Sequence, residues 1–174
     1  MNTPRTRILE RAKAVLENPA NDLEGKSGVA GITVRHARGR WANTEEGRSL
    51  SIRFVSDTVE TEFSPTQWEK LRYLSLDLIV DTDLDTEDSG LDPTGLERPG
   101  MIASAALAIL LDEAAVDVAG DRLRDLCDSV VDEGVNPDED NEADEARFIQ
   151  RIVVIYRTSI TDPNLLLAEG ENLT

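Results

Sequence analysis

The sequence is poor in the residue types that most enzyme sites require. Its 174 residues include one cysteine, Cys127, and one histidine, His36. A single cysteine excludes an internal disulfide framework and a multi-cysteine metal site, so we expect a soluble protein made in a reducing compartment. A Ser-His-Asp or Cys-His catalytic system would have to use His36, and no Gly-x-Ser-x-Gly motif accompanies it. We therefore predict no catalytic residue and no enzyme, and interpret His36 as an exposed loop residue and Cys127 as a buried thiol on a helix.

Long apolar runs and basic residues are scarce as well. No apolar run approaches the roughly 18 residues that a membrane span needs, and residues 1–7 lead into a charged amphipathic helix rather than the apolar core of a signal peptide. The chain has 18 basic and 35 acidic residues, a net charge of −17. Because non-specific DNA binding requires clustered Lys and Arg, this balance argues against it. An acidic surface would instead repel DNA that passes close by.

Two segments carry the alternation typical of β-strands. Residues 147–160 place Ile152 and Tyr156 on one face and Arg151 on the other, and residues 71–80 alternate in the same way. A long strand near the end of the chain must pair with strands that precede it. The sequence therefore predicts that 147–160 closes a sheet containing 71–80.

Helical segments are predicted at both sides of these strands. A hydroxyl N-cap at Thr3 followed by proline predicts a helix start, and Asn18 followed by proline predicts its end. Apolar spacing predicts helix over residues 101–133, continuous or broken at Gly120, with Gly134 as the residue after its last turn.

The segment between the predicted N-terminal helix and the strand 71–80 contains a cluster of basic residues, in contrast to the acidic rest of the chain. Residues 29–35 resemble a strand, alternation resumes at Leu50, and residues 36–47 between them read as the tip of a long hairpin. An ordinary solvated hairpin is one interpretation. The other is a contact arm that docks on acidic loops of a neighbouring copy and builds a ring. The residues of this interface hypothesis are Arg38, Arg40, Trp41 and Arg48.

Two acidic segments read as solvated loops. Residues 81–92 contain six acids and residues 132–145 contain eight. Asp81-x-Asp83-x-Asp85 is similar to the start of a calcium-binding loop, but such loops need glycine at the sixth position and glutamate at the twelfth. Thr86 and Asp92 occupy those positions. We predict no metal or cofactor site, with a calcium-dependent adaptor using this motif as a minor alternative.

Together these segments predict one α+β domain over residues 1–174. It would contain an antiparallel β-sheet with a long hairpin, helices packed on one face, and a C-terminal unit of helix followed by strand. The acidic loops 81–92 and 132–145 and a short tail, 161–174, complete the expected organisation.

This element order resembles the tail terminator, or tail completion (minor tail), proteins of long-tailed bacteriophages and phage-like particles. The resemblance rests on the N-terminal helix, the hairpin with its long tip, the strand 71–80, the acidic loop, the helix, and the closing strand 148–160. The longer helical segment and the apparent insertion at 132–145 depart from the family pattern.

The resemblance implies a structural virion protein. Family members form hexameric rings that cap the tail tube and join it to the neck, so the implied partners are further copies, a tail-tube protein and a neck or head-completion protein. DNA would pass through the lumen without specific binding, and assembly would occur in the host cytoplasm. The alternatives are another neck or tail-tube protein of the same fold and, in a different class, an acidic DNA mimic or inhibitor.

Overall fold

A computed structural model describes residues 2–37, 48–60, 69–83, 97–135 and 145–167. These residues form a six-stranded, mostly antiparallel sheet with three α-helices packed against it, which confirms the α+β class. No helix among them is both long and apolar enough to cross a membrane. The elements are α1 (Pro4–Glu17), α2 (Leu23–Ser27), β1 (Thr33–His36), β2 (Ser49–Val59), β3 (Glu69–Asp83), α3 (Glu97–Leu111), β4 (Ser129–Val135), β5 (Glu145–Ser159) and β6 (Leu166–Leu167).

The strands follow the order β1-β2-β3-β5-β4, and β6 pairs with β5. The centre is the antiparallel pair β3–β5, which stays in register from Glu69 opposite Ser159 to Asp83 opposite Glu145. The prediction that 147–160 pairs with an earlier strand is confirmed, and the structure identifies that strand as β3. Because β3 occupies one edge of β5 along its whole length, β4 and β6 share the other edge.

The first helix begins and ends as its sequence predicts. The Thr3 hydroxyl accepts a hydrogen bond from the Thr6 backbone N–H at 3.3 Å, and Pro4 starts the helix without an N–H to satisfy. The helix stops at Glu17, and the side chain of Asn18 then accepts from the Ala20 N–H at 3.1 Å. Its buried face is apolar: Ile8, Ala12, Val15 and Leu16.

The two faces of the sheet differ in chemistry. One face joins α1, α3 and the 3₁₀ turn 123–125 in a single apolar core. We call the opposite face, which carries Asp77 and Arg151, the polar face; Ile79 and Val153 are buried there as well. The strand residues of the core are Val34, Leu50, Ile52, Leu74, Leu76, Leu78, Val80, Val130, Ile152, Val154 and Tyr156.

The helix predicted over 101–133 is wrong in its second half. Helix α3 ends at Leu111, and Ser129–Val135 form strand β4, so the C-terminal unit is helix, strand, strand. Val130 pairs with Val154 of β5, a long-range contact that overrides the local helical spacing. Gly134, predicted to end the helix, instead has φ of +90° beside a bulge in β4.

The predicted hairpin across 36–47 is also wrong. Strands β1 and β2 run parallel, with Thr33 opposite Ser49 and His36 opposite Ile52, so the intervening chain connects parallel strands. His36 is therefore a strand residue and half-buried rather than an exposed loop residue. Antiparallel consecutive pairs occur at β2–β3 and β4–β5 instead.

Parts of both predicted acidic loops belong to strands. Residues 81–83 end β3, residues 132–135 belong to β4, and Glu145 begins β5. The remaining residues of both runs, including Asp85, lie outside the described residues.

Candidate functional site

A fully buried carboxylate at the centre of the polar face joins the three middle strands. Asp77 on β3 lies opposite Arg53 of β2 and Arg151 of β5. Arg53 Nη2 donates to Asp77 Oδ2 at 2.6 Å, and Arg151 Nε donates to Asp77 Oδ1 at 2.8 Å. The hydrogen bond to Asp77 raises the pKa of Arg151 above its ordinary value. Both guanidinium groups stay partly exposed, so this cluster combines a buried acid with two bases at the surface.

A second ion pair on the polar face ties β4 to the end of β5. Arg157 Nε donates to both oxygens of Asp128, at 3.0 and 3.2 Å, and Arg157 Nη1 lies 3.5 Å from Glu69 Oε2. The bond to Asp128 raises the pKa of Arg157. Asp128 directly precedes β4 and Glu69 begins β3, so this arginine bridges both neighbours of its own strand.

At the β1 edge, an arginine lies over two buried serines. Arg35 Nε donates to Ser51 Oγ at 3.1 Å, and Arg35 Nη2 donates to Ser49 Oγ at 3.0 Å. The polar face therefore carries arginines from β1 to β5, namely Arg35, Arg53, Arg151 and Arg157.

A small cleft of about 200 Å³ lies on the helix-covered side, at the N-terminus of α1. Asp57, Arg72 and Tyr156 line it. Arg72 binds the Asp57 carboxylate through two bonds, 3.1 and 2.9 Å, and the Tyr156 hydroxyl donates to Asp57 Oδ2 at 3.0 Å. Burial, and next the Asp57 charge, raise the pKa of Tyr156, so its hydroxyl keeps its proton. All three groups are thus partnered inside the protein.

A larger cleft of about 530 Å³ lies beside β1, between the C-terminal end of α1 and α2. Its lining combines apolar side chains, among them Leu23 and Val34, with three carboxylates. The carboxylates belong to Glu17, Asp22 and Glu24.

The opposite edge of the sheet exposes apolar side chains among acids. On β4, Val131 is 43% exposed and Val135 is 53% exposed. Asp132 and Glu133 lie between them and are exposed too. Charged residues are a common feature of edge strands, whereas large exposed apolar side chains are typical of an interface.

Of the four residues in the interface hypothesis, the structure describes one. Arg48 directly precedes β2, and its Nη1 donates to the Ala30 carbonyl at 3.0 Å. Arg38, Arg40 and Trp41 lie outside the described residues, so their part of the hypothesis stays a prediction.

The residues with potential for catalysis are separated from one another. His36 ends β1, where burial and then Lys13 lower its pKa. Cys127 lies in the core, its thiol donates to the Leu123 carbonyl at 3.4 Å, and burial raises its pKa to about 12. A thiol with that pKa is protonated at neutral pH and is a poor nucleophile.

The candidate calcium ligands are only partly described. Asp81 is buried at the end of β3, opposite Ser49, and Asp85 lies outside the described residues. Within residues 2–37, 48–60, 69–83, 97–135 and 145–167, no group of three or more His, Cys, Asp or Glu could hold a metal ion.

Sequence reasoning missed both the Arg53–Asp77–Arg151 cluster and the cleft beside β1. Each of the three cluster residues occupies a polar-face position on its own strand, which alternation alone could have revealed. Their contact depends on the register of three strands, which only the folded sheet supplies. Neither a scan against models of known protein families nor a search of curated proteins finds a match for this chain.

Proposed function

We propose that this protein is a non-enzymatic structural component of a bacteriophage or phage-like tail, and specifically a tail terminator. It would assemble as a ring that caps the tail tube and joins it to the neck. The observation that carries the proposal is the exposed apolar edge of β4, with Val131 and Val135 set among acids.

The two ends of the sheet favour a head-to-tail contact between copies. Asp132 and Glu133 mark the β4 end, whereas Arg35 and Arg48 mark the β1–β2 end. A contact between two different surfaces of the same chain closes into a ring when its rotation is correct. Opposite charges steer such a contact, and the exposed valines provide its apolar part.

The central cluster suits a structural role. Arg53, Asp77 and Arg151 bind one another across β2, β3 and β5, so the middle of the sheet has little freedom to slip. A ring subunit must hold its two edges at a constant distance, and a sheet with a fixed register does this.

The net charge of −17 fits a ring through which DNA passes, because acidic surfaces repel phosphates. The alternative is that the protein is another neck or tail-tube protein of the same fold. The element order behind the resemblance changes at two points, the parallel β1–β2 pair and the additional strand β4. The β4 edge, rather than that order, therefore supports the assembly role best.

The test is the particle mass of the purified protein by light scattering, with negative-stain images of it alone and mixed with tail-tube protein. We expect closed rings alone or at tube ends. The double variant Val131→Asp, Val135→Asp should remove the rings, while Val118→Asp, at a valine that is 82% exposed, should leave them intact. A wild-type monomer that never joins a tube would refute the proposal.

The same net charge also favours a second candidate, an acidic DNA mimic that occupies the groove of a DNA-binding protein. A mimic needs a continuous acidic surface, and the polar face instead carries Arg53, Arg151 and Arg157. Capture of a nuclease, polymerase or repressor by the wild-type protein, with release by added DNA, would favour the mimic over the ring.

A further inference from the structure

We propose that the cleft beside β1 binds an extended, basic segment of a partner protein, which joins the sheet as an additional strand along the outer edge of β1. This inference does not depend on ring formation. The cleft of about 530 Å³ has the size typical of ligand sites, roughly 300–1,000 Å³.

The backbone of β1 presents hydrogen-bonding groups on that side. The Thr33 N–H donates to the Arg48 carbonyl at 3.1 Å, and the Ala37 N–H donates to the Ile52 carbonyl at 3.0 Å. In a parallel pair, a residue directs its N–H and C=O towards the same neighbour and the next residue directs both away. Val34 and His36 therefore point theirs away from β2, and no described backbone group bonds to them there.

The floor of the cleft can receive side chains of an added strand. Leu16, Leu23 and Val34 are buried apolar residues of the lining, and Ile32 is half-buried. Alternate side chains of a strand point to one side, so every second residue of the partner would enter the cleft.

The charge of the lining selects the partner. Among the described residues, the cleft is lined by the acids Glu17, Asp22 and Glu24 and by no basic residue. Lys13, one turn earlier on α1, binds the Glu17 carboxylate. Glu24 Oε1 accepts from the N–H groups of Gly31 and Ile32 at 2.8 and 3.2 Å, which holds one carboxylate at the rim. Lysine or arginine side chains that enter the cleft would lay their methylene groups on its apolar floor and bring their charges to these acids.

The acidic lining of the cleft also makes a second copy of this chain, bound through its β4 edge, a poor occupant. If that edge paired with the outer edge of β1, its Asp132 and Glu133 would approach Glu17 and Glu24. The ring contact proposed above would therefore lie over Arg35 on the polar face and leave that outer edge free. Like charges brought together at an interface weaken binding, so a different, basic chain is the better fit.

The probe is a fluorescein-labelled octapeptide of alternating lysine and valine, measured by fluorescence anisotropy against the full chain. An alternating glutamate–valine peptide is the charge control. Two N-methylated forms, methylated on the lysines only or on the valines only, test the backbone contact because alternate N–H groups of a strand face opposite sides. We expect one form to bind like the parent peptide and the other to bind at least about tenfold more weakly. Equal binding by both would overturn strand addition.

A charge-reversal pair tests the location. Glu17→Lys should weaken binding about fivefold, whereas Asp162→Lys, with the same change in net charge but in the exposed turn after β5, should change it less than about twofold. Equal weakening by both variants would mean non-specific attraction and would overturn the proposal. So would a dimer, seen by sedimentation velocity, that the peptide dissociates, because a second copy would then occupy the edge. Circular dichroism checks that each variant is folded.

Discussion

Asp77 and Arg151 lie 74 positions apart in the sequence, and they meet across β3 and β5 with Arg151 Nε at 2.8 Å from Asp77 Oδ1. The Asp77 side chain is 0% exposed. A buried carboxylate is tolerated only when donors surround it. A slip of β5 by one residue would move Arg151 to the other face, so this contact disfavours any other register.

Removal of that carboxylate should be strongly destabilising. In Asp77→Ala, the guanidinium groups of Arg53 and Arg151 would face each other without the acid between them. We expect the free energy of unfolding in urea to fall by about 3 kcal/mol. Glu113→Ala, at an exposed position, should change it by less than about 0.5 kcal/mol. A loss below about 1 kcal/mol for Asp77→Ala would mean that the cluster does not stabilise the sheet.

The hydroxyl of Tyr156 should contribute a smaller amount. Tyr156→Phe leaves the apolar ring in the core but removes the donor to Asp57 Oδ2, while Arg72 still binds that carboxylate. The expected loss in the free energy of unfolding is about 1–2 kcal/mol. Tyr73→Phe, on the polar face of the same sheet, provides the matched comparison. An equal effect of the two substitutions would contradict a specific role for the Tyr156 hydroxyl.

The thiol of Cys127 should react slowly in the folded protein. Its pKa is raised from 9.0 to about 12, which lowers the thiolate fraction at pH 8 about a thousandfold. We expect one slowly reacting thiol per chain with Ellman's reagent, becoming fast in urea. Fast labelling of the native protein would show that the Cys127 region opens readily.

The same raised pKa predicts a loss of stability in alkali. Between pH 9 and about 12 the folded state keeps the Cys127 proton, whereas the unfolded state releases it. The unfolded state then binds fewer protons, so the free energy of unfolding falls as pH rises. Cys127→Ala lacks this contribution, and its stability difference from wild type should shrink between pH 8 and pH 11. A constant difference in urea titrations would contradict the shift.

Two glycines should respond to alanine in opposite directions. Gly134 has φ of +90°, a conformation that costs alanine about 1 kcal/mol even though no atom of the described residues would contact its Cβ within 4 Å. Gly100 lies in α3, where a Cβ would contact Phe148 at an ordinary 3.6 Å. Gly100→Ala should therefore raise the thermal midpoint and Gly134→Ala should lower it. Calorimetry on both variants checks the pair.

The basic segment before β2 provides a prediction about assembly. Arg40→Ala with Trp41→Ala should weaken ring or tube docking and leave the monomer folded, because arginine and tryptophan are frequent anchors of interfaces. Sedimentation of the double variant with tail-tube protein measures the docking. Unchanged assembly would remove this segment from the proposed interface.

The parts of the fold that sequence reasoning predicted depend on local patterns. Thr3, Pro4 and Asn18 set the limits of α1 through caps that involve only near neighbours. Strict alternation in β3 and β5 marks their two faces wherever their partners lie. The prediction failed where pairing between distant segments decides the structure. Strand β1 runs parallel to β2, and the residues around Cys127 and Val130, whose spacing is typical of a helix, lead into a strand that pairs with β5.

The sequence by itself determined the charge, the scarcity of histidine and cysteine, and which residues of each long strand share a face. These follow from composition and from a period of two residues, which need no partner. Only the tertiary structure decided that Asp77 meets Arg53 and Arg151, that Ser129–Val135 form an edge strand, and that a cleft opens beside β1. Each of these features requires two or more segments in one register, and register is a property of the packed sheet.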